Sequence, residues 1–127
     1  MNFAWPIAGT PTVLFGAHEE GVAVKGVVIR AYQDSRVMAA ADGRVAYTND
    51  NLPGYGRTVI IEHSAEFSSV YARNAAILVK VGQTVRQGEP IAVVGSKGKG
   101  GRPQLYFEIR RQSRAEDPLM YLKPKPQ

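Results

Sequence analysis

Apolar and polar positions alternate along most of this chain, in short runs separated by turn-forming residues. In Gln104–Arg111, Leu105, Phe107 and Ile109 fall on one face of an extended strand, and Gln104, Tyr106, Glu108 and Arg110 on the other. The first set predicts core and the second a polar row on a functional face. The run Thr58-Val59-Ile60-Ile61-Glu62 is almost continuously apolar, as in a strand covered on both sides. Similar runs rich in Val, Ile and Tyr predict strands at 26–29, 36–39, 43–48, 58–63, 68–71, 76–79 and 90–94. Turns are expected at Asp42-Gly43, over 49–56, at Gly82, at Gly88 and over 95–103. No window of eleven or more residues carries a 3.6-residue period, so the one helical expectation is a single turn after Asp117-Pro118, running to Tyr121. Pro124 and Pro126 mark a loose end. The pattern predicts an all-β domain over 1–122 with a tail at 123–127, folded as a two-sheet antiparallel β sandwich with a groove across one face.

The 79–92 segment repeats valine and glycine at fixed spacing, with Gly82 and Gly88 placed for turn conformations that a side chain opposes. Half of a lipoyl or biotinyl carrier domain reads the same way. A carrier places its modified lysine at a hairpin tip between methionines, and no Met-Lys-Met occurs here. The segment is therefore read as a structural hairpin.

Composition narrows the function classes. With 127 residues the chain is long enough for one well-packed domain. The absence of cysteine excludes disulfides and thiolate metal sites. Sixteen basic against eleven acidic residues give a net charge of +5, which points to an acidic partner or an anionic surface. Nucleic acid is not indicated: there is no basic helix, no RNA-binding aromatic motif and no zinc-finger spacing. No apolar run approaches the roughly 18 residues of a membrane span. Met1-Asn2-Phe3 lacks the basic and apolar regions of a signal peptide.

The strand 104–111 resembles the His-x-His-Phe-Glu strand of LytM-type (M23) zinc metallopeptidases, with Gln104 and Tyr106 at the two histidine positions. The resemblance runs from about Phe3 to Leu122. It passes through Trp5-Pro6-Ile7, Leu14-Phe15-Gly16, Ala41-Asp42-Gly43-Arg44-Val45, Gly54-Tyr55-Gly56, Tyr71-Ala72, the 82–91 hairpin and Asp117-Pro118. It implies zinc ligands in a His-x-x-x-Asp pattern, where this chain has Val24 and Val28, and a Tyr-Ala-His motif, where it has Tyr71-Ala72-Arg73. Aliphatic side chains have no lone pair, arginine stays cationic, and an amide or neutral phenol is a poor partner for zinc beside imidazole. A three-ligand zinc site cannot be assembled from these positions, and no cofactor or metal is expected. His18, beside Glu19-Glu20, is read as a solvated loop residue, and His63 as the partner in a strand-end hydrogen bond.

The replacements, in 25–29 and 100–112, resemble the degenerate LytM domains of murein hydrolase activators. That resemblance implies a non-enzymatic periplasmic domain with an export signal upstream. It implies as partners N-acetylmuramoyl-L-alanine amidases in cell-division peptidoglycan splitting. It further implies an upstream coiled coil, absent from this sequence, that couples to an FtsE–FtsX complex. Without zinc, the expected groove is an apolar slot walled by Val24, Val28 and Tyr106. Lys25, Tyr55, Arg73, Gln104, Glu108 and Arg110 are expected around it. Such a floor and rim suit an amphipathic amidase helix. The alternative occupant is peptidoglycan itself, with the basic loop 97–102 contacting its carboxylates.

Overall fold

A computed structural model describes residues 1–19, 21–96 and 101–124. Its strands are β1 (Thr10–Val13), β2 (His18–Glu19), β3 (Val22–Ala23), β4 (Val27–Arg30), β5 (Arg36–Met38), β6 (Gly43–Leu52), β7 (Gly56–Glu62), β8 (Phe67–Ala72), β9 (Asn74–Ile77), β10 (Thr84–Val85), β11 (Pro90–Val94), β12 (Gln104–Arg111) and β13 (Arg114–Glu116). A 3-10 turn at Pro118–Met120, capped by the Asp117 side chain, is where the helical turn was expected. Among the described residues no helix is long and apolar enough to cross a membrane.

An eight-stranded antiparallel sheet runs in the order β1-β4-β12-β8-β7-β6-β10, with β13 hairpinned to β12. A three-stranded sheet, β5-β11-β9, packs beside it, and β2 and β3 form a separate two-stranded flap. The core between the sheets holds Phe3, Ile29, Val37, Val59, Ile61, Tyr71, Ile91, Leu105, Phe107 and Ile109. Leu105, Phe107 and Ile109 are all fully buried, so the alternation in β12 is read correctly from sequence. Gly82 and Gly88 have φ of 93° and 86°, as their turns require.

The chain ends meet. Phe3 bridges Leu122 in parallel, the Lys123 amide donates to the Phe3 carbonyl at 2.9 Å, and the Trp5 indole donates to the Lys123 carbonyl at 2.6 Å. Lys123 is thus tied into the domain rather than free in the tail, and 125–127 lie outside the described residues.

His63 makes the strand-end contacts expected of it. Its Nδ1 lies 2.7 Å from the Asp42 carbonyl and its Nε2 2.7 Å from the Ser69 hydroxyl. Ser69 also contacts the Tyr71 hydroxyl at 2.7 Å, and that hydroxyl accepts the Ala40 amide at 2.9 Å. A carbonyl can only accept, so His63 carries its proton on Nδ1. Burial holds the His63 pKa below its ordinary value, against a smaller upward effect of the Asp42 carbonyl.

Candidate functional site

Three adjacent strands bring the key positions together. Tyr106 on β12 sits opposite Val28 on β4 and Ala72 on β8. β4 approaches β12 this closely because residue 26 is glycine. A Cβ there would overlap the Phe107 carbonyl oxygen and lie 2.9 Å from the Glu108 Cγ. Arg73, just past β8, has a left-handed backbone with φ of 66°. Its amide donates to the Tyr55 carbonyl at 2.9 Å, and its carbonyl accepts the Gly95 amide at 3.1 Å. Two backbone bonds therefore hold a conformation that a non-glycine residue adopts only at a cost. The guanidinium comes to 5.2 Å from the Tyr106 ring centroid, within cation–π range.

Glu108 corrects the expected rim. Its side chain is fully buried rather than solvent-facing. Strand alternation assigns it to the polar face correctly, but neighbouring side chains cover that face. The hydroxyls of Tyr106 and Tyr55 donate to Oε2 at 2.6 and 2.8 Å, and Arg110 Nε donates to Oε1 at 2.8 Å. The Tyr55 and Tyr106 rings meet edge to face at 5.7 Å. A carboxylate is stable out of water only with such charge-assisted donors. Burial raises the Tyr106 pKa most, and the accepting Glu108 raises it further; Tyr55 is raised by the same two causes in the same order. Burial works against the Arg110 charge, but the adjacent Glu108 carboxylate overrides it and the net shift is upward.

Beside this cluster lies a pocket of about 270 Å³ lined by Glu19, Val22, Ala23, Val24, Lys25, Gly54, Tyr55, Arg73 and Tyr106. Five of the nine sequence-expected residues line it: Val24, Lys25, Tyr55, Arg73 and Tyr106. Four do not. Val28 is 1% exposed, so it packs beneath Tyr106 instead of walling an open slot. Glu108 is the buried acceptor. Arg110, half-buried, is occupied by Glu108. Gln104 is half-buried two residues along β12 and pairs with Arg30. The flap residues Glu19, Val22 and Ala23, together with Gly54, are the lining residues that sequence reasoning missed. Residues 97–100 of the expected basic loop, and Glu20, lie outside the described residues.

The pocket does not fit a zinc ion. Val24 and Val28 offer no donor atom, the Tyr106 hydroxyl is committed to Glu108, and Arg73 puts a cation beside the ring. Among the described residues no three of His, Cys, Asp and Glu gather closely enough to hold a metal.

Fold and site together define a domain with the metallopeptidase scaffold, in which Tyr106, at one of the expected histidine positions, is tied into a hydrogen-bonded cluster with Glu108, Tyr55 and Arg110. The profile of Peptidase family M23 matches residues 22–118, and the chain belongs to that family. Murein hydrolase activator EnvC of Escherichia coli (strain K12) is 47% identical over 119 residues, covering 93% of this chain and 28% of that protein. Murein hydrolase activator NlpD of the same organism is 41% identical over 121 residues, covering 95% of this chain and 31% of that protein. The chain thus spans about a third of these relatives' length. The solved structure of Helicobacter pylori Csd3 superposes with a TM-score of 0.84 at 30% identity, covering 98% of this chain and 34% of that one.

Proposed function

We propose that this domain is a non-catalytic activator of periplasmic N-acetylmuramoyl-L-alanine amidases, acting in the peptidoglycan splitting of cell division. The observation that carries this reading is the Glu108 cluster: it commits the Tyr106 hydroxyl, at one of the expected histidine positions, to a carboxylate, while an accessible pocket remains beside it. Its lining combines apolar Val22, Ala23 and Val24, aromatic Tyr55 and Tyr106, and the cations Lys25 and Arg73. Tyrosine and arginine are the residue types that most often anchor interfaces. An amphipathic amidase helix suits this surface. Activation follows by population shift, the domain binding the open amidase more tightly than the closed one. The two Escherichia coli relatives, both murein hydrolase activators, support the same reading. In the longer protein that those relatives suggest, coupling to an FtsE–FtsX complex falls to a segment upstream of this domain.

The test incubates the purified domain with peptidoglycan sacculi, with the cognate amidase, and with both. Release of muropeptides well above the amidase-alone level, only when both proteins are present, is the expected result. Release by the domain alone overturns the non-catalytic reading. Co-sedimentation with sacculi, without any change in amidase activity, selects a peptidoglycan-binding module instead.

A further inference from the structure

Among the described residues, one ionic contact links the flap to the opposite side of the pocket. β2 and β3 pair His18 with Ala23 and Glu19 with Val22 around Gly21, whose φ is 80°. Glu19 Oε1 lies 3.6 Å from a terminal nitrogen of Arg73 across the pocket. The Glu19 side chain is 43% exposed and that of Arg73 26%, so the pair is accessible to an incoming group. Among the described residues lining the pocket, Glu19 is the single acid, against two cations. Exposed apolar side chains stand near this contact: Val22, which also lines the pocket, is 68% exposed, and Leu14, 48% exposed, lies on the segment leading into the flap. That segment is fastened to the flap's exit by Gly16 to the Val24 carbonyl at 2.8 Å and Val24 to the Ala17 carbonyl at 2.7 Å.

We infer that Arg73 is an anion subsite for the partner, occupied in the free domain by Glu19 as a stand-in. The occupant is an amphipathic protein segment that brings its own carboxylate to Arg73 and lays apolar side chains against Val22, Ala23 and Val24. Charge complementarity supports this occupant. Once Glu19 is displaced, the described lining residues of the pocket hold two cations, Arg73 and Lys25, and no acid, a surface that favours an acidic group. Arg73 is well placed for the role. Its left-handed backbone is pinned by Tyr55 and Gly95, and its guanidinium rests against Tyr106, so little ordering is left to be done on binding. The inference rests on the activator reading and specifies the chemistry of the partner segment.

The experiment measures affinity for the purified cognate amidase by titration against wild type, Glu19→Gln, Arg73→Gln and the double variant, with Arg73→Lys as a charge-preserving control. Glu19→Gln removes the competitor and should tighten binding about two- to fivefold, the factor that a partly exposed ion pair is worth. Arg73→Gln should weaken binding, and adding Glu19→Gln to it should give no gain. Arg73→Lys should retain part of the wild-type affinity. Unchanged or weaker binding by Glu19→Gln overturns the inference, as does an equal gain in the Arg73→Gln background. No measurable binding by wild type overturns the activator reading itself, and the two failures are therefore distinguishable.

Discussion

The buried carboxylate of Glu108 makes a sharp prediction for Glu108→Gln. The substitution is nearly isosteric, so it leaves no cavity and tests the hydrogen-bond network alone. Oε2 accepts two tyrosine hydroxyls and Oε1 accepts Arg110. An amide supplies one acceptor and one donor. With its oxygen toward the tyrosines, its NH2 confronts the Arg110 N–H; turned around, it confronts the hydroxyls. Bonds to a charged group contribute about 1.5–3 kcal/mol and neutral ones about 0.5–1.5, so three weakened bonds lose about 3 kcal/mol. Arg110 is 31% exposed and can recover some hydration, which keeps the net loss near 2–4 kcal/mol. For a domain of this size that lowers the melting temperature by roughly 10 °C. The assay is urea unfolding followed by tryptophan fluorescence, with thermal melting as a second probe. Glu108→Gln paired with Arg110→Gln should cost less than the sum of the two single changes, because they share a bond. A stability within about 0.5 kcal/mol of wild type, the range of ordinary surface changes, would refute the reasoning.

Other expectations follow from the same geometry. Lys25→Ala, at an exposed pocket position, should weaken amidase activation with the melting temperature nearly unchanged. Tyr106→Ala and Arg110→Ala should reduce both activation and stability, since each strips a donor from Glu108. Phe107→Ala, on the core face, should cost about 3–5 kcal/mol of stability by equilibrium unfolding. The pKa values of Tyr55, Tyr106 and Tyr71 are all raised above 10, that of Tyr71 to about 12 by burial. The unfolded chain therefore loses these protons first, and stability present below pH ~10 should fall as pH rises beyond it, visible as late tyrosinate absorbance coincident with unfolding. The His63 pKa is lowered, so the unfolded state binds the proton more readily. Stability should fall as pH drops below ~6.5, and by less in His63→Gln.

Much of the fold is legible in the sequence because its strands carry one covered and one open face. The β12 alternation identifies that strand and its core residues, and the apolar run of β7 identifies a strand but overstates its coverage: Val59 and Ile61 enter the core while Ile60 stays partly exposed. β1 is not legible, because Thr10-Pro11-Thr12-Val13 holds a proline. Its place at the edge of the large sheet explains the tolerance: it pairs only with β4, and an edge strand needs fewer donors. The far end of β6 is polar from Asn49 to Asn51 and reads as a turn, yet pairing with β7 continues to Leu52 across a register shift. The flap strands are two residues long, too short for any period to show, and so Glu19 reads as a solvated loop acid. Alternation correctly groups Glu108 with Tyr106 and Arg110. It cannot report that Tyr55, more than fifty positions away in sequence, helps to cover that group.

The cluster also explains why this site is not a metal site awaiting one or two histidines. The Glu of the His-x-His-Phe-Glu pattern is present as Glu108, so the difference lies in the groups around it. A buried carboxylate without donors is unstable, and so is a buried tyrosine hydroxyl without an acceptor. Tyr106 and Glu108 satisfy each other, Arg110 supplies the compensating charge, and Val28 gives the Tyr106 ring an apolar neighbour across the strand pair. Replacing Tyr106 by histidine removes one of two donors from the same carboxylate oxygen while Val24 and Val28 still lack lone pairs. The arrangement is self-consistent as a packed, hydrogen-bonded surface and inconsistent at several points with metal coordination. Arg73 is oriented by backbone bonds to Tyr55 and Gly95 and by the Tyr106 ring. Tyr106, at one of the expected histidine positions, therefore also carries the Arg73 guanidinium on its ring and meets the Tyr55 ring edge to face, so one side chain both satisfies Glu108 and shapes the pocket.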